Sequence, residues 1–342
     1  GKKGELSSVG PLFMAGITGP RIDQAARELV RDLQVGGIIL FARNLEAPEQ
    51  IWQLTRDLQQ EARDAGNPPL LIAVDQEGGP VQRLKAPFTL IPPARELGLV
   101  ATAGQVEALA RTVGRELALV GLNMNLAPVL DVARAPDCPL WERSFGPDPD
   151  KVAVLGEAAI RGFGQALVVA VAKHFPGLGD TAVDSHQTLP TAQDPDPERT
   201  TDLLPFRRAT ALGVPAIMTA HLHVPAWDSR PATLSAVALG DWLRRRLGFQ
   251  GVIMTDDLEM GAIAGAGAVS DAAGQALAAG ADLLLICSPA DMVWDAARRL
   301  SRDSALYQAA AAAKTRLHAL RIRLAQAAAD LAAVKAYFQK RG

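Results

Sequence analysis

Residues 167–190 read LVVAVAKHFPGLGDTAVDSHQTLP, and this pattern is the one that decides the fold. The apolar run 167–172 has the length and the β-branched content of a buried strand. It passes directly into a polar segment that begins with Lys173 and His174 and contains the turn-forming residues Pro and Gly. We therefore expect a strand that ends near Lys173 and releases a loop rich in titratable side chains.

The same unit recurs along the chain, with short apolar runs alternating with amphipathic segments of helical length. The eight candidate strands are 9–15, 37–41, 70–74, 123–126, 168–172, 216–219, 252–255 and 283–286. Helical segments are expected at 22–34, 48–65, 103–120, 151–165, 197–212, 236–247 and 271–279. Eight such units in one uninterrupted series predict an α/β fold, a (β/α)8 TIM-type barrel in a single domain.

The barrel is expected to occupy about residues 9–301, within a single catalytic domain that spans 1–342. The Ala-rich tail, about 302–342, is expected to form helices on the outside of the barrel, and the Gly/Ala-rich stretch 261–268 is expected to be a mobile loop. A doubly wound sheet is the alternative fold. It would need a phosphate-binding turn after the first strand, and residues 14–19, MAGITG, lack the G-x-G-x-x-G spacing.

Composition excludes several classes of protein. The net charge is −2 and no basic stripe is present, which argues against nucleic-acid binding. No apolar run is long enough to span a membrane. Cys138 and Cys287 are far apart and form no CxxC pair, which argues against a disulfide framework or a structural zinc site. We expect a monomeric cytoplasmic protein, although a chain that begins at Gly1 without methionine leaves export open.

A barrel places its working residues at the carboxyl ends of the strands. In this chain, polar and titratable residues follow the third to seventh candidate strands, while the strands themselves carry almost no charge. These residues are Asp75 and Glu77, Asn123 and Asn125, Lys173 and His174, His221 and His223, and Asp256 and Asp257. We expect them to surround one site.

Two of these features fit the hydrolysis of a glycosidic bond, which needs a carboxylate at the anomeric carbon and an acid for the leaving oxygen. Asp256, at the end of the seventh strand, is the candidate nucleophile, and the adjacent Asp257 should point away from the site and bond backbone or solvent. The spacing Asp184-Ser185-His186 lets a carboxylate lie beside an imidazole, as in a general acid/base pair.

Four motifs together resemble those of the family 3 glycoside hydrolases, in the same order and spacing. They are DQEGGPVQR at 75–83, ERSFG at 142–146, the run 173–186, and TDD at 255–257. The combination KHFPG followed by DSH is the most specific of them. The chain is most similar to the single-barrel bacterial β-N-acetylglucosaminidases that act in peptidoglycan recycling, and the likeness covers most of its length.

The resemblance implies a role for each matching residue. Asp256 matches the nucleophile that forms a glycosyl-enzyme intermediate with retention of configuration, His186 matches the acid/base, and Asp184 matches its partner. The residues that match the sugar-binding groups are Asp75, Arg83, Arg143, Lys173 and His174. The expected substrate is a small carbohydrate with terminal N-acetylglucosamine, a muropeptide or a chitooligosaccharide, and no metal or organic cofactor is implied.

The chain departs from the family pattern at Pro80, where arginine is usual, and at Leu178, where histidine is usual. These departures raise the alternative of a sugar-binding barrel that has lost catalysis. A metal-dependent hydrolase is a second alternative, because His221-Leu222-His223 has metal-ligand spacing. A third is phosphorolysis, since an uncharged histidine acid/base would not repel phosphate.

Overall fold

The computed structural model describes residues 2–288, 290–324 and 329–341, and its centre is a sheet of eight parallel strands. We number these β1 (Phe13–Gly16), β2 (Gly37–Leu40), β3 (Leu71–Val74), β4 (Met124–Asn125), β5 (Val169–Phe175), β6 (Ala216–Thr219), β7 (Val252–Met254) and β8 (Leu284–Ile286). The strands are paired in the order β8-β1-β2-β3-β4-β5-β6-β7. A further parallel bridge between Met254 and Leu283 joins the two ends. The predicted (β/α)8 barrel is therefore confirmed.

Helices surround this barrel. The longer ones are Lys2–Ser7, Gln24–Glu28 continuing as the π-helix Leu29–Leu33, Pro48–Asp64, Ala94–Val100, Ala103–Leu119, Pro149–Gln165, Thr200–Leu212, the π-helix Val237–Arg246, Val269–Ala279, Ala290–Ser301, Tyr307–Arg321 and Leu331–Gln339. Short 3-10 helices are Gly10–Leu12, Ala42–Asn44, Ala232–Leu234, Gly261–Ala266 and Ser304–Leu306. None of the helices in the described part of the chain is both long and apolar enough to cross a membrane.

The sequence dictates these elements in recognisable ways. The barrel strands are buried along their whole length, because helices cover the outer face and side chains fill the interior, so their sequences are continuously apolar. Helix starts coincide with side-chain caps: Asp23 accepts a hydrogen bond from the backbone N–H of Ala26, and Thr102 forms a capping box with Gln105.

Three segments differ from the prediction. β1 begins at Phe13 rather than at residue 9, because Pro11 lies in a 3-10 turn, Gly10–Leu12, that precedes the strand. β5 continues to Phe175, where it pairs with Thr219 of β6, so Lys173 and His174 belong to the strand and not to the loop.

The segment predicted as a mobile loop, 261–268, forms the 3-10 helix Gly261–Ala266 over most of its length. The helices Lys2–Ser7 and Ala290–Ser301 were not predicted. Nor were two elements in the first half of the chain: an antiparallel hairpin after β3, Gln76–Gly78 with Val81–Gln82, and the helix Ala94–Val100. Both lie at the carboxyl end of the barrel or beside it, where the sequence alone indicated only irregular structure.

The tail forms the predicted external helices, Tyr307–Arg321 and Leu331–Gln339, although residues 325–328 and 342 lie outside the described part. Arg321 attaches the tail to the barrel by donating hydrogen bonds to the carbonyl oxygens of residues 68 and 69, just before β3. Trp52 donates to the carbonyl of Ala329. The tail therefore closes the end of the barrel opposite to the polar strand ends.

Candidate active site

A compact ion-pair network lies at the carboxyl ends of β3 and β5. Lys173 Nζ is 3.1 Å from Asp75 Oδ1 and 2.7 Å from Glu77 Oε1. Arg143 binds Glu77 in a bidentate manner, with Nε donating to Oε2 at 2.9 Å and Nη2 donating to Oε1 at 2.7 Å. Glu77 thus accepts from both cations. Asp75 contacts Lys173 through Oδ1, which leaves its second oxygen available to a ligand.

Glu77, Lys173 and Arg143 are all charged near neutral pH. Burial on its own would raise the pKa of Glu77, but Lys173 and Arg143 outweigh burial and lower it to about 2. Burial would likewise lower the pKa of Lys173 and of Arg143, yet the neighbouring carboxylates raise both. The result is a rigid set of two cations and two anions in which hydrogen-bond donors and acceptors lie side by side.

Arg83 lies at the edge of this network. Its Nη2 is 4.0 Å from Asp75 Oδ2, and its side chain is 34% exposed, while its backbone N–H donates to the Asp75 carbonyl. It is therefore held loosely compared with Lys173, whose side chain is 3% exposed.

A buried Asp–His pair orients His174. Asp131 is completely buried, and its Oδ2 lies 2.7 Å from His174 Nδ1, which must carry the proton because a carboxylate accepts. The other oxygen, Oδ1, accepts from the backbone N–H of Leu178 at 2.8 Å. Asp131 therefore fixes the imidazole of His174 and the start of the following loop together.

Asp256 follows the end of β7 and faces the same region. Burial would raise its pKa, but His174, His221 and the backbone N–H of Asp257 lower it, so Asp256 is ionised. Asp257 accepts from the backbone N–H of Glu259, as the sequence predicted for a residue that points away. Burial and the nearby Glu259 raise the pKa of Asp257 to about 6, so the two adjacent aspartates have opposite environments.

His221 supports the end of β7 and does not form a metal site with His223. Burial lowers the pKa of His221, and its Nε2 lies 2.8 Å from the carbonyl oxygen of Asp257, to which it must donate. Its Nδ1 lies 2.8 Å from the hydroxyl oxygen of Thr233. His223 pairs through its backbone with Pro190. Within residues 2–288, 290–324 and 329–341, no three His, Cys, Asp or Glu side chains are grouped to hold a metal.

The predicted Asp184–His186 pair is present on the loop after β5. Asp184 Oδ1 accepts from the backbone N–H of His186 at 2.9 Å and lies 2.8 Å from His186 Nδ1. Burial would raise the pKa of Asp184, but the two hydrogen bonds and the charge of His186 together lower it. Nδ1 therefore carries the proton towards Asp184, and Nε2 is left to act on a ligand. The His186 side chain is 64% exposed.

The base of this loop is fixed by buried charges. Arg199 is fully buried and donates through Nη2 to the carbonyl of Gly177 at 3.0 Å and to Asp202 at 2.9 Å. Asp180, whose Oδ2 is 3.7 Å from Arg199 Nη1, accepts from the backbone N–H groups of residues 193 and 194. Both ends of the loop are therefore tied to one cluster.

The two departures from the family pattern lie outside the ion-pair network. Leu178 is buried in a small apolar cluster with Cys138, Leu140 and Leu222, where it anchors the start of the loop. Pro80 is exposed at the turn of the hairpin after β3. Neither departure removes a group from the ion-pair network.

The structure thus gathers Asp75, Arg143, Lys173, His174 and Asp256 at the carboxyl end of the barrel, places Arg83 at the edge of this group, and carries Asp184 and His186 on the adjacent loop. Asp184 is near enough to Arg143 for that charge to lower its pKa. Sequence analysis placed Glu77 in the group around the site without a specific role, and it did not single out Asp131. Asp131 is a lone carboxylate in the otherwise apolar run 126–133, and that isolation was the available signal.

Comparison with known proteins finds similar sequences along most of the chain. The N-terminal domain of glycosyl hydrolase family 3 matches residues 2–319. A β-hexosaminidase of Alkalilimnicola ehrlichii is 40% identical over 294 residues, which are 83% of this chain and 82% of that protein.

Solved structures agree with this match. A family 3 β-N-acetylglucosaminidase from Paenibacillus sp. str. FPU-7 is 42% identical with a TM-score of 0.91; the match covers 95% of this chain but only 64% of that longer chain. NagZ from Neisseria gonorrhoeae, in complex with N-trifluoroacetyl-D-glucosamine, is 31% identical with a TM-score of 0.81 and coverage of 96% and 95%. The chain therefore belongs to glycosyl hydrolase family 3, and it is a glycoside hydrolase.

Proposed function

We propose that this protein is a retaining exo-β-N-acetylglucosaminidase that removes terminal β-linked N-acetylglucosamine. The observation that carries this proposal is the ionised Asp256, which follows the end of β7 close to His174 and Lys173, together with the Asp184–His186 pair on the loop after β5. A carboxylate nucleophile and a separate proton donor are the two groups that glycoside hydrolysis with retention requires.

In the first step, a carboxylate oxygen of Asp256 attacks the anomeric carbon while the bond from that carbon to the leaving oxygen breaks. His186, in its protonated form, gives the Nε2 proton to the leaving oxygen, and the aglycone departs as an alcohol. Asp184 stabilises the positive ring through Nδ1–H. The product is a glycosyl ester of Asp256 with inverted configuration.

In the second step, water attacks the same carbon from the side that the aglycone has left. His186 Nε2 removes the proton from that water, and the Asp256 carboxylate leaves. Two inversions restore the original configuration, so the first sugar formed is the β anomer. Proton and charge balance are complete without any group other than these two residues and water.

The polar groups at the strand ends suit the hydroxyls of one terminal sugar. Asp75 accepts hydrogen bonds, and Arg143 and Lys173 donate them. His174 offers Nε2 to the sugar, because its Nδ1–H is directed to Asp131, and Arg83 reaches the same sugar from the edge. Side chains fill the interior of a (β/α)8 barrel, so a sugar bound at the strand ends could not pass through it, which favours action at chain ends. The hexosamine analogue bound by the Neisseria protein supports N-acetylglucosamine as this sugar.

The substrate is proposed to be a peptidoglycan fragment processed in the cytoplasm, with chitooligosaccharides as the other candidate. The free thiols of Cys138 and Cys287 fit a reducing compartment. Water is proposed as the acceptor; release of a sugar 1-phosphate when phosphate is added would instead indicate phosphorolysis.

The test is a panel of nitrophenyl β-glycosides of N-acetylglucosamine, glucose and xylose, with proton NMR of the first anomer released. We expect N-acetylglucosamine to give the highest kcat/KM and the β anomer to appear first. Appearance of the α anomer would contradict the double displacement, and no turnover of any substrate would favour a sugar-binding barrel without catalysis.

A further inference from the structure

The tip of the loop that carries His186 is attached to the segment that follows the nucleophile. The backbone N–H of Gly261 donates to the carbonyl of His186 at 3.2 Å, and the N–H of Ala262 donates to the carbonyl of Ser185 at 3.2 Å. Gly261 is only five residues after Asp256 in the sequence. These two bonds attach the loop that carries His186 to the segment that follows β7 and Asp256.

The contact at Gly261 is too close for any side chain. A Cβ atom added there would lie 2.5 Å from the carbonyl oxygen of Gln187 and 2.8 Å from that of His186. Both are backbone atoms, so rotation of a side chain cannot relieve the overlap and the loop itself would have to move. The φ angle of Gly261 is outside the left-handed region, so alanine could adopt the local conformation.

The tip is packed where these two bonds form. Ser185, whose carbonyl accepts from Ala262, is buried, whereas Val183 and Leu189 are exposed. The buried charges at the base of the loop fix its ends, several residues away from the tip. The two bonds from 261–262 therefore help to fix where the imidazole lies relative to Asp256.

We propose that Gly261 is a positioning residue for the acid/base, and that its lack of a side chain lets the His186 loop dock beside the nucleophile. This inference rests on the proposed function, because it takes His186 to be the proton donor. In this view, the segment 261–262 acts only through His186 and touches neither the sugar nor the reacting atoms.

The chain offers a matched control in the same 3-10 helix. Nothing lies within 4 Å of a Cβ added to Gly265, so Gly265→Ala makes the same chemical change without touching the loop. His186→Ala serves as the reference for complete loss of the acid. The two substrates are nitrophenyl N-acetyl-β-glucosaminide, whose leaving group needs little protonation, and diacetylchitobiose, whose leaving group needs it fully.

Gly261→Ala should lower kcat for diacetylchitobiose by roughly tenfold or more beyond its effect on kcat for the nitrophenyl glycoside. The loss should be smaller than that in His186→Ala, because the acid is displaced and not removed. Gly265→Ala should show no such difference between substrates. Hydrogen exchange of residues 182–190 should be faster in Gly261→Ala alone, with the melting temperatures of both variants similar.

Equal losses on both substrates, or identical behaviour of the two alanine variants, would overturn the inference. The reference variant separates this outcome from failure of the proposed function. If His186→Ala discriminates between the substrates and Gly261→Ala does not, the acid role of His186 stands and the positioning role of Gly261 is wrong. If His186→Ala itself shows no discrimination, both proposals fall.

Discussion

The two halves of this active site are built in different ways. Asp75, Glu77, Lys173 and Asp256 are held by strand ends, and ion pairs of 2.7–3.1 Å lock the first three together. The proposed acid/base lies instead on a loop, where the His186 side chain is 64% exposed and the tip is held by two backbone hydrogen bonds. One half is held by buried ion pairs, and the other by backbone hydrogen bonds at an exposed loop.

This difference follows from what each half must do. The sugar and its anomeric carbon must be held in one place, since misplacement of a nucleophile by a fraction of an ångström is costly. Between the two steps, the aglycone must leave and water must enter, both on the face of the sugar opposite to Asp256. A group on an accessible loop can serve both steps, whereas a buried one would obstruct the exchange.

The largest effect should come from the half held by the strand ends. Asp256→Ala removes the only carboxylate proposed to attack the sugar, so kcat should fall on the order of 10⁴-fold or more. The loss should be similar for good and poor leaving groups, because no leaving group replaces a nucleophile. Steady-state assays with aryl glycosides check this, and activity of Asp256→Ala within tenfold of the wild type would refute the assignment.

Glu77→Gln should sharpen the comparison, since Glu77 joins Arg143 and Lys173 without being proposed to touch the sugar. Loss of the charge leaves two buried cations short of a partner, which costs about 3–5 kcal/mol of stability. We expect kcat/KM to fall about 10²- to 10³-fold through displaced sugar-binding groups.

The matched control is Glu49→Gln, because Glu49 is exposed and its nearest cation, Lys335, is 3.8 Å away. This variant should differ from the wild type by less than about 1 kcal/mol. A Glu77→Gln variant with the same stability and activity as the control would show that the network is dispensable. Urea denaturation and assays of both variants give the answer.

The pH dependence of stability should report the same network. The pKa of Glu77 is lowered from 4.5 to about 2, so its stabilising contribution is complete above pH 4.5 and is lost as pH falls towards 2. The shift corresponds to about 3 kcal/mol at most. Denaturation midpoints between pH 5 and pH 3 should therefore fall more steeply in the wild type than in Glu77→Gln. Parallel curves would argue against this coupling.

A smaller effect is expected from a change on the loop that carries His186, if the hydrogen bonds of the Asp184–His186 pair are kept. In Asp184→Asn, the amide oxygen can still accept from His186 Nδ1 and its backbone N–H, but the negative charge is lost. Stabilisation of the protonated ring should weaken, which lowers kcat roughly tenfold for poor leaving groups. The basic limb of the pH–rate profile should move to lower pH, and an unchanged profile would remove Asp184 from the mechanism.

Much of the half held by the strand ends could be predicted from the sequence. The apolar runs before Asp75, Lys173 and Asp256 predict strands. A barrel brings the carboxyl ends of its strands together, independently of the conformation of the loops. The individual pairs were less accessible. Glu77 and Asp131 take their roles from partners far away in the chain, so no local pattern marks their function.

For the half of the site that lies on the loop, the sequence predicted the residues but not where the loop docks. The spacing of Asp184 and His186 predicts their mutual contact, because that contact is local. The docking of the tip on 261–262 is not local, and the Gly/Ala-rich sequence there favoured a mobile loop. Gly261 is small because another backbone approaches it, and only the folded structure shows that approach.

The most direct test of the account asks whether the strand-held carboxylate and the loop-held imidazole act on the same sugar. His186→Ala, mixed with an activated nitrophenyl N-acetyl-β-glucosaminide, should form the glycosyl-enzyme readily but hydrolyse it slowly for lack of a base. Rapid-quench mass spectrometry should find the N-acetylhexosaminyl group accumulating on Asp256 in this variant and not in the wild type. An adduct on any other residue, or no accumulation despite continued turnover, would contradict the account.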